Sequence, residues 1–113
     1  PVPDYARYAQ IQLQALRGRP RLLSAQTYQV LHTAKGQIAG SNFGLALGWG
    51  VLTQGGKTTH EFSGSIDLMS AYIKICPADN RAVIVLNNYD AADQSDAVLN
   101  NTAEQLMALQ PLT

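Results

Sequence analysis

Residues 43–88 read FGLALGWGVLTQGGKTTHEFSGSIDLMSAYIKICPADNRAVIVLNN, and this stretch decides the fold. Strand-like runs in it are separated by Gly, Asp, Asn and Pro clusters of the kind that reverse a chain. In the first run Leu45, Leu47, Trp49 and Val51 alternate with Ala46, Gly48, Gly50 and Leu52, the two-residue period of a strand with one bulky and one small face. Gln54-Gly55-Gly56 then turns the chain. The second run, 57–63, sets Thr58, His60 and Phe62 against Thr59, Glu61 and Ser63, and the third, 69–76, sets Met69, Ala71, Ile73 and Ile75 on one side. Pro77-Ala78-Asp79-Asn80 closes a further hairpin. The last run, Ala82-Val83-Ile84-Val85-Leu86, is apolar at every position, as a strand covered on both faces must be. The stretch therefore predicts an antiparallel sheet of about four strands that helices have to cover.

Working outward, a chain of 113 residues is one domain or part of one, and can bury roughly two-thirds of the surface its unfolded form exposes. Eight basic and eight acidic residues balance, and no basic cluster is denser than the short run from Arg17 to Arg21, so no nucleic-acid partner is expected. No apolar run approaches the ~20 residues of a membrane span. Cys76 is the only cysteine, which excludes an intrachain disulfide and a Cys-rich zinc site. Pro1 is not an initiator residue, and no signal-peptide pattern precedes the first helix, so the chain reads as a piece of a longer one.

On the N-terminal side, Val2, Ala6, Ala9, Leu13 and Leu16 fall on one stripe of a helix, with Asp4 near its start and Gly18 at its end. Tyr5 and Tyr8 lie beside that stripe as packing residues. Ser24 predicts the cap of a second helix running to about Ala34, with Leu23 and Tyr28 placed to clasp its first turn. Residues 36–44 form the loop into the sheet. On the C-terminal side, Asp93, Ser95 or Asp96 can cap a last helix whose shared face carries Val98, Thr102, Gln105, Leu106 and Leu109. The organisation is a single partial domain over 1–113: two helices in 1–35, the sheet in 43–88 and a helix over 93–110.

Three motif-like features do not make a phosphate loop, a metal site or a nucleophile. Gly55-Gly56-Lys57-Thr58 ends like a phosphate-binding loop, but Gly50 is one residue too far upstream and a strand, not a helix, follows. His32 and His60 have no companions at metal-ligand spacing, and Cys76 reads as a small buried hydrophobe. No metal or cofactor is expected.

Phe62-Ser63-Gly64-Ser65 is more informative, with Tyr72 seven residues after Ser65. A small hydroxyl residue, a glycine and another small residue at a strand end let a ligand backbone lie against the strand edge, with main-chain N–H groups open to a carbonyl oxygen. Taken with Tyr5-Ala6-Arg7-Tyr8, Leu22-Leu23-Ser24, Leu31-His32-Thr33, Leu47-Gly48-Trp49-Gly50-Val51 and the run from Val83 to Asn87, in that order, the chain resembles the C-terminal half of the serine β-lactamase and penicillin-binding protein family. The nearest branch is the class C-like one, with its D-alanyl-D-alanine carboxypeptidases and esterases. The resemblance implies the C-terminal part of a β-lactamase/transpeptidase-like fold, an α/β sandwich of the α+β kind. In it the C-terminal helix covers one face of the sheet and the two N-terminal helices lie on or near the other.

The family acts by acyl transfer to a serine, with three motifs converging on one cleft. Ser-x-x-Lys and Tyr-x-Asn or Tyr-x-Ser have no counterpart here, so the resemblance places the nucleophile upstream of Pro1 and no catalytic residue in this chain. The third motif, Lys or His, then Ser or Thr, then Gly, on a sheet-edge strand, corresponds to 62–64. Ser63 and Gly64 match it, and Ser65 falls where an oxyanion-hole N–H is donated. Phe62 replaces the Lys or His, and a phenyl ring donates no proton and attracts no carboxylate. His60, two residues earlier on the same face, is the candidate substitute donor. Ile66-Asp67-Leu68-Met69 follow where the family is small and Gly-rich, which narrows the cleft.

The reading that results is the C-terminal half of a serine β-lactamase-like hydrolase of amides or esters. The alternative is a degenerate, non-catalytic relative that binds a ligand or peptide at the strand edge. Implied partners are the N-terminal half of the same protein and a β-lactam, peptide or ester substrate. Implied location is the periplasm or exterior. With that half absent, the uncharged edge from Ala82 to Asn87 predicts a homodimer paired through this strand.

Overall fold

The computed structural model describes residues 2–66, 69–88 and 95–109. Helix α1 spans Val2–Leu16 and α2 spans Ala25–His32. Six strands follow, β1 Gly36–Gln37, β2 Phe43–Leu45, β3 Gly50–Gln54, β4 Lys57–Ile66, β5 Met69–Cys76 and β6 Arg81–Asn87, and helix α3 spans Ser95–Met107. All strands form one antiparallel sheet whose spatial order is the sequence order, β1 to β6. The mixed α/β class with helices on both faces is therefore as the sequence reads, with six strands in place of four.

The two additional strands come from the segment expected as a loop and from a division of the first run. Gly48 sits at φ +80°, a conformation open to glycine, and the amide of Ala46 donates to the Trp49 carbonyl at 2.8 Å. The alternation of Leu45, Leu47 and Trp49 is thus broken by a turn, which leaves Leu45 and Leu47 exposed and buries Trp49. Upstream, Lys35 N–H donates to Leu45 O and Ile38 N–H to Phe43 O, so β1 and β2 form a small hairpin. The other turns follow the sequence closely. Gly55 and Gly56, both at positive φ, make the two-residue link between β3 and β4. Pro77–Asp79 forms a single 3₁₀ turn that Asn80 closes in the left-handed conformation, at φ +53°.

α1 ends as Gly18 predicts: Arg19 N–H reaches Gln14 O and Gly18 N–H reaches Ala15 O, with Gly18 at φ +90°. Ser24 caps α2 by accepting from Thr27 N–H at 3.2 Å, but the helix stops at His32, short of Ala34. Its first turn is held by the Tyr28 hydroxyl, which donates to Arg21 O, while Leu23 stays exposed.

Each face of the sheet has its own core. Ala9 and Leu13 of α1 pack on Trp49, Ile73 and Ile75, with Ala82 and Ile84 beside them. Full burial of Ile73 and Ile75 contributes about 1.5–3 kcal/mol each. On the opposite face Leu99 and Ala103 of α3 pack on Tyr72 and Val83. The expected α3 face is corrected by one position: Val98, Leu106 and Leu109 are exposed, and Leu99, Ala103 and Met107 face the sheet. The reason is polar. Lys74 and Tyr72 of β5 are buried under α3, and Glu104 and Asn100, on the same side of the helix as Ala103, supply their partners.

Candidate functional site

β4 is longer than the strand beside it. β3 pairs with β4 only from Lys57 to Glu61, where Gly50 lies opposite Glu61, whereas β5 pairs with it on to Ile66. Residues 62–66 therefore overhang β3, all of them exposed, with no strand on that side among the described residues. In an antiparallel ladder alternate residues direct their main-chain N–H and C=O to alternate sides. The tight Gly55-Gly56 turn makes Lys57 the first residue bonded to β3, so Lys57, Thr59 and Glu61 turn toward β3 and Ser63 and Ser65 turn toward the side it has left. The expected site thus lies on a strand edge, as the sequence motif requires.

Gly64 lies between those two serines. A Cβ there would meet only the Phe62 ring, at an ordinary 3.7 Å. Among the described residues nothing fills the space beside this glycine, which leaves the strand open to close approach there. Beside the overhang is a groove of about 700 Å³, lined by Tyr5 of α1, by Phe62, Gly64, Ser65 and Ile66 of β4, and by the facing ends of β5 and β6. Met69, Ser70, Ala71, Leu86 and Asn87 complete the described part of that lining together with Asn88. Asp67 and Leu68, expected to narrow it, lie outside the described residues.

His60 is placed differently from its expected role. It is buried, points into the α1 side of the sheet and is not among the groove residues. Its Nδ1 lies 3.2 Å from His32 Nδ1, and His32 Nε2 lies 2.7 Å from Gln12 Oε1. Because that amide oxygen only accepts, His32 carries its proton on Nε2, its Nδ1 accepts, and His60 donates from Nδ1. The His32 ring also packs on Trp49 with centroids 4.6 Å apart. Burial lowers both imidazoles to about 4, with the neighbouring His60 adding to the effect on His32. His60 is therefore neutral near pH 7, and a donor role in the groove would require it to leave His32.

On the α3 side, Tyr72 stands opposite Ser63. Its hydroxyl donates to Glu61 Oε2 at 2.9 Å, with Asn100 Oδ1 at 3.3 Å, and burial followed by the Glu61 charge raises its pKa well above the ordinary phenol value. Lys74 pairs with Glu104 and lies 3.8 Å from Glu61. Cys76 is buried, with Sγ 3.5 Å from Asp79 Oδ2. Among the described residues no three His, Cys, Asp or Glu side chains gather to hold a metal ion.

The groove residues outside the motif, Tyr5, Met69, Ser70 and Leu86, escape sequence reasoning because three separate elements bring them together. One signal for them was available. Neither 62–73 nor 82–113 contains a lysine, arginine or histidine.

No family model matches the chain, and no curated protein matches it. Among solved structures it is similar to the octameric penicillin-binding protein homologue from Pyrococcus abyssi, at 20% identity and a TM-score of 0.71. The match covers 94% of this chain and 24% of that one, so the chain spans about a quarter of that protein. At this identity the likeness is one of fold.

Proposed function

We propose that this chain is the sheet-bearing part of a serine hydrolase of the β-lactamase and penicillin-binding protein type, and that 62–65 forms its substrate-facing edge. The open edge of β4 beyond Glu61 carries this reading, because it offers main-chain donors beside a groove of ligand size. In this role the edge holds an ester or amide carbonyl. A serine hydroxyl from another segment attacks the carbonyl carbon and gives up its proton to a base on that segment. The Ser65 N–H stabilises the oxyanion, the C–O or C–N bond to the leaving group breaks, and water later releases the acyl group. Gly64 lets the substrate backbone approach, and Phe62 and Tyr5 hold its apolar part.

A second reading, a non-catalytic ligand-binding relative, is favoured by one observation: Phe62 stands exposed where the family carries a proton donor. Mass spectrometry after incubation with p-nitrophenyl butyrate or an active-site phosphonate separates the two. The 113-residue chain should show no adduct on any serine. A longer protein carrying an upstream Ser-x-x-Lys should be acylated on that serine, and a longer protein that stays unmodified supports the binding reading.

A further inference from the structure

We infer that the groove beside β4 selects an uncharged ligand, an apolar group adjoining an ester or amide, and discriminates against a carboxylate. The inference rests on the reading of 62–65 as a ligand-facing edge and adds the class of ligand that edge accepts.

The walls are apolar and open. Phe62, Ile66, Met69 and Leu86 are 54, 72, 57 and 44% exposed, and all four line the same groove, with the Tyr5 ring across from them. Contiguous apolar surface of this kind on a chain that is only 14% charged is a binding surface by its energetics, since covering it removes apolar area from water. A volume of about 700 Å³ suits a small molecule or a few residues of peptide. Its polar contacts are sparse. Ser63 and Ser65 present main-chain groups on the open edge of β4.

Charge decides the class. Apart from Tyr5 the groove residues come from 62–71 and 86–88, and neither segment has a basic residue in its sequence. The one charged residue in those segments is acidic, Asp67. The α1 cation closest in sequence to Tyr5, Arg7, lines a different cavity with Gln10, Ile11, Gln14 and Arg21. Lys74 is held under α3 by Glu104 and Glu61, and His60 is buried, paired and neutral. A carboxylate entering the groove would lose hydration and gain no counter-charge, whereas an isosteric amide gains hydrogen bonds at a smaller desolvation cost.

The test uses the 113-residue chain labelled with ¹⁵N and two isosteric probes at pH 7, N-acetylphenylalaninamide and the N-acetylphenylalanine anion. The amide should bind at least 10-fold more tightly, with shifts concentrated at Phe62, Gly64, Ser65, Ile66, Met69 and Leu86. N-acetylalaninamide, which lacks the ring, should bind about 10-fold more weakly than its phenylalanine counterpart. Phe62→Lys, at an exposed position, should narrow the amide-to-carboxylate ratio several-fold while leaving the remaining spectrum in place. Equal or tighter binding of the carboxylate, shifts centred elsewhere, or no binding of either probe would overturn the inference. Binding of the amide together with failure of a longer protein that carries an upstream Ser-x-x-Lys to be acylated would remove the hydrolase reading and leave this one standing. Acylation accompanied by a carboxylate preference would do the reverse.

Discussion

His32 and His60 face each other through their Nδ1 atoms, 3.2 Å apart, and together join α2 to the middle of the sheet. This pair makes stability depend on pH. Above about pH 6.5 the imidazoles are neutral in folded and unfolded chains alike, and the contact is intact. As pH falls toward about 4 the unfolded chain takes up protons that the folded one excludes, so stability declines through that window and levels off below it. Urea unfolding should show a loss on the order of 3 kcal/mol for each imidazole between pH 7 and 4. His60→Gln should flatten the slope. A wild-type profile that is flat from pH 7 to 5 would contradict the assigned neutral pair.

Gly64→Ala separates ligand binding from folding. Because a Cβ there meets only Phe62 at 3.7 Å, thermal stability should be unchanged or raised by up to about 1 kcal/mol. Affinity for N-acetylphenylalaninamide should nevertheless fall by 10-fold or more. Unchanged affinity would show that the ligand does not approach this part of β4.

Gly50→Ala should behave in the opposite way. A Cβ there would lie 2.2 Å from Phe43 Cζ, with the whole ring in its path. Destabilisation of about 1–3 kcal/mol is expected, and Phe43→Ala combined with it should cost less than the sum of the two single changes. Additive values in a double-mutant cycle would refute the contact.

Lys74→Met should destabilise the chain by about 2–4 kcal/mol, since it leaves Glu61, itself bonded to the buried Tyr72 hydroxyl, without its cation. Glu104→Gln should cost less than about 1 kcal/mol, because the Glu104 side chain is 58% exposed. The reverse ranking in chemical denaturation would place the weight of the cluster on α3.

β6 pairs with β5 along its whole length and with no other strand among the described residues. From Ala82 to Leu86 the side of β6 turned away from β5 carries no charge and no proline. The 113-residue chain should therefore associate through this edge as concentration rises in sedimentation equilibrium, and Leu86→Lys should shift it toward monomer. A monomer at every concentration, with β6 amides protected from exchange, would show that the edge is covered from within the chain.

The parts of the fold legible in the sequence are those where one local cause suffices. Ala82 to Leu86 is apolar at each position, and β6 lies between α1 and α3. Gly55-Gly56 and Asn80 supply the backbone conformations their turns need. The misread parts depend on partners distant in sequence. The stripe of α3 is displaced because Asn100 and Glu104 are drawn to Tyr72 and Lys74, a pairing between elements distant in sequence. Leu47 fits a strand alternation that a single left-handed residue, Gly48, interrupts. Of the site, 62–65 was visible as a motif, and its overhang was not, because overhang depends on where β3 begins.

The meander has one long-distance closure: α1, at the start of the chain, packs on β6, the last strand to be made. Each strand pair can zip up as its second member emerges from the ribosome, but the face of α1 that carries Ala9 and Leu13 has to wait for nearly the whole sheet. A contact of such sequence separation closes a larger loop than any strand pair of the meander, so it forms late and slows folding relative to the local pairings.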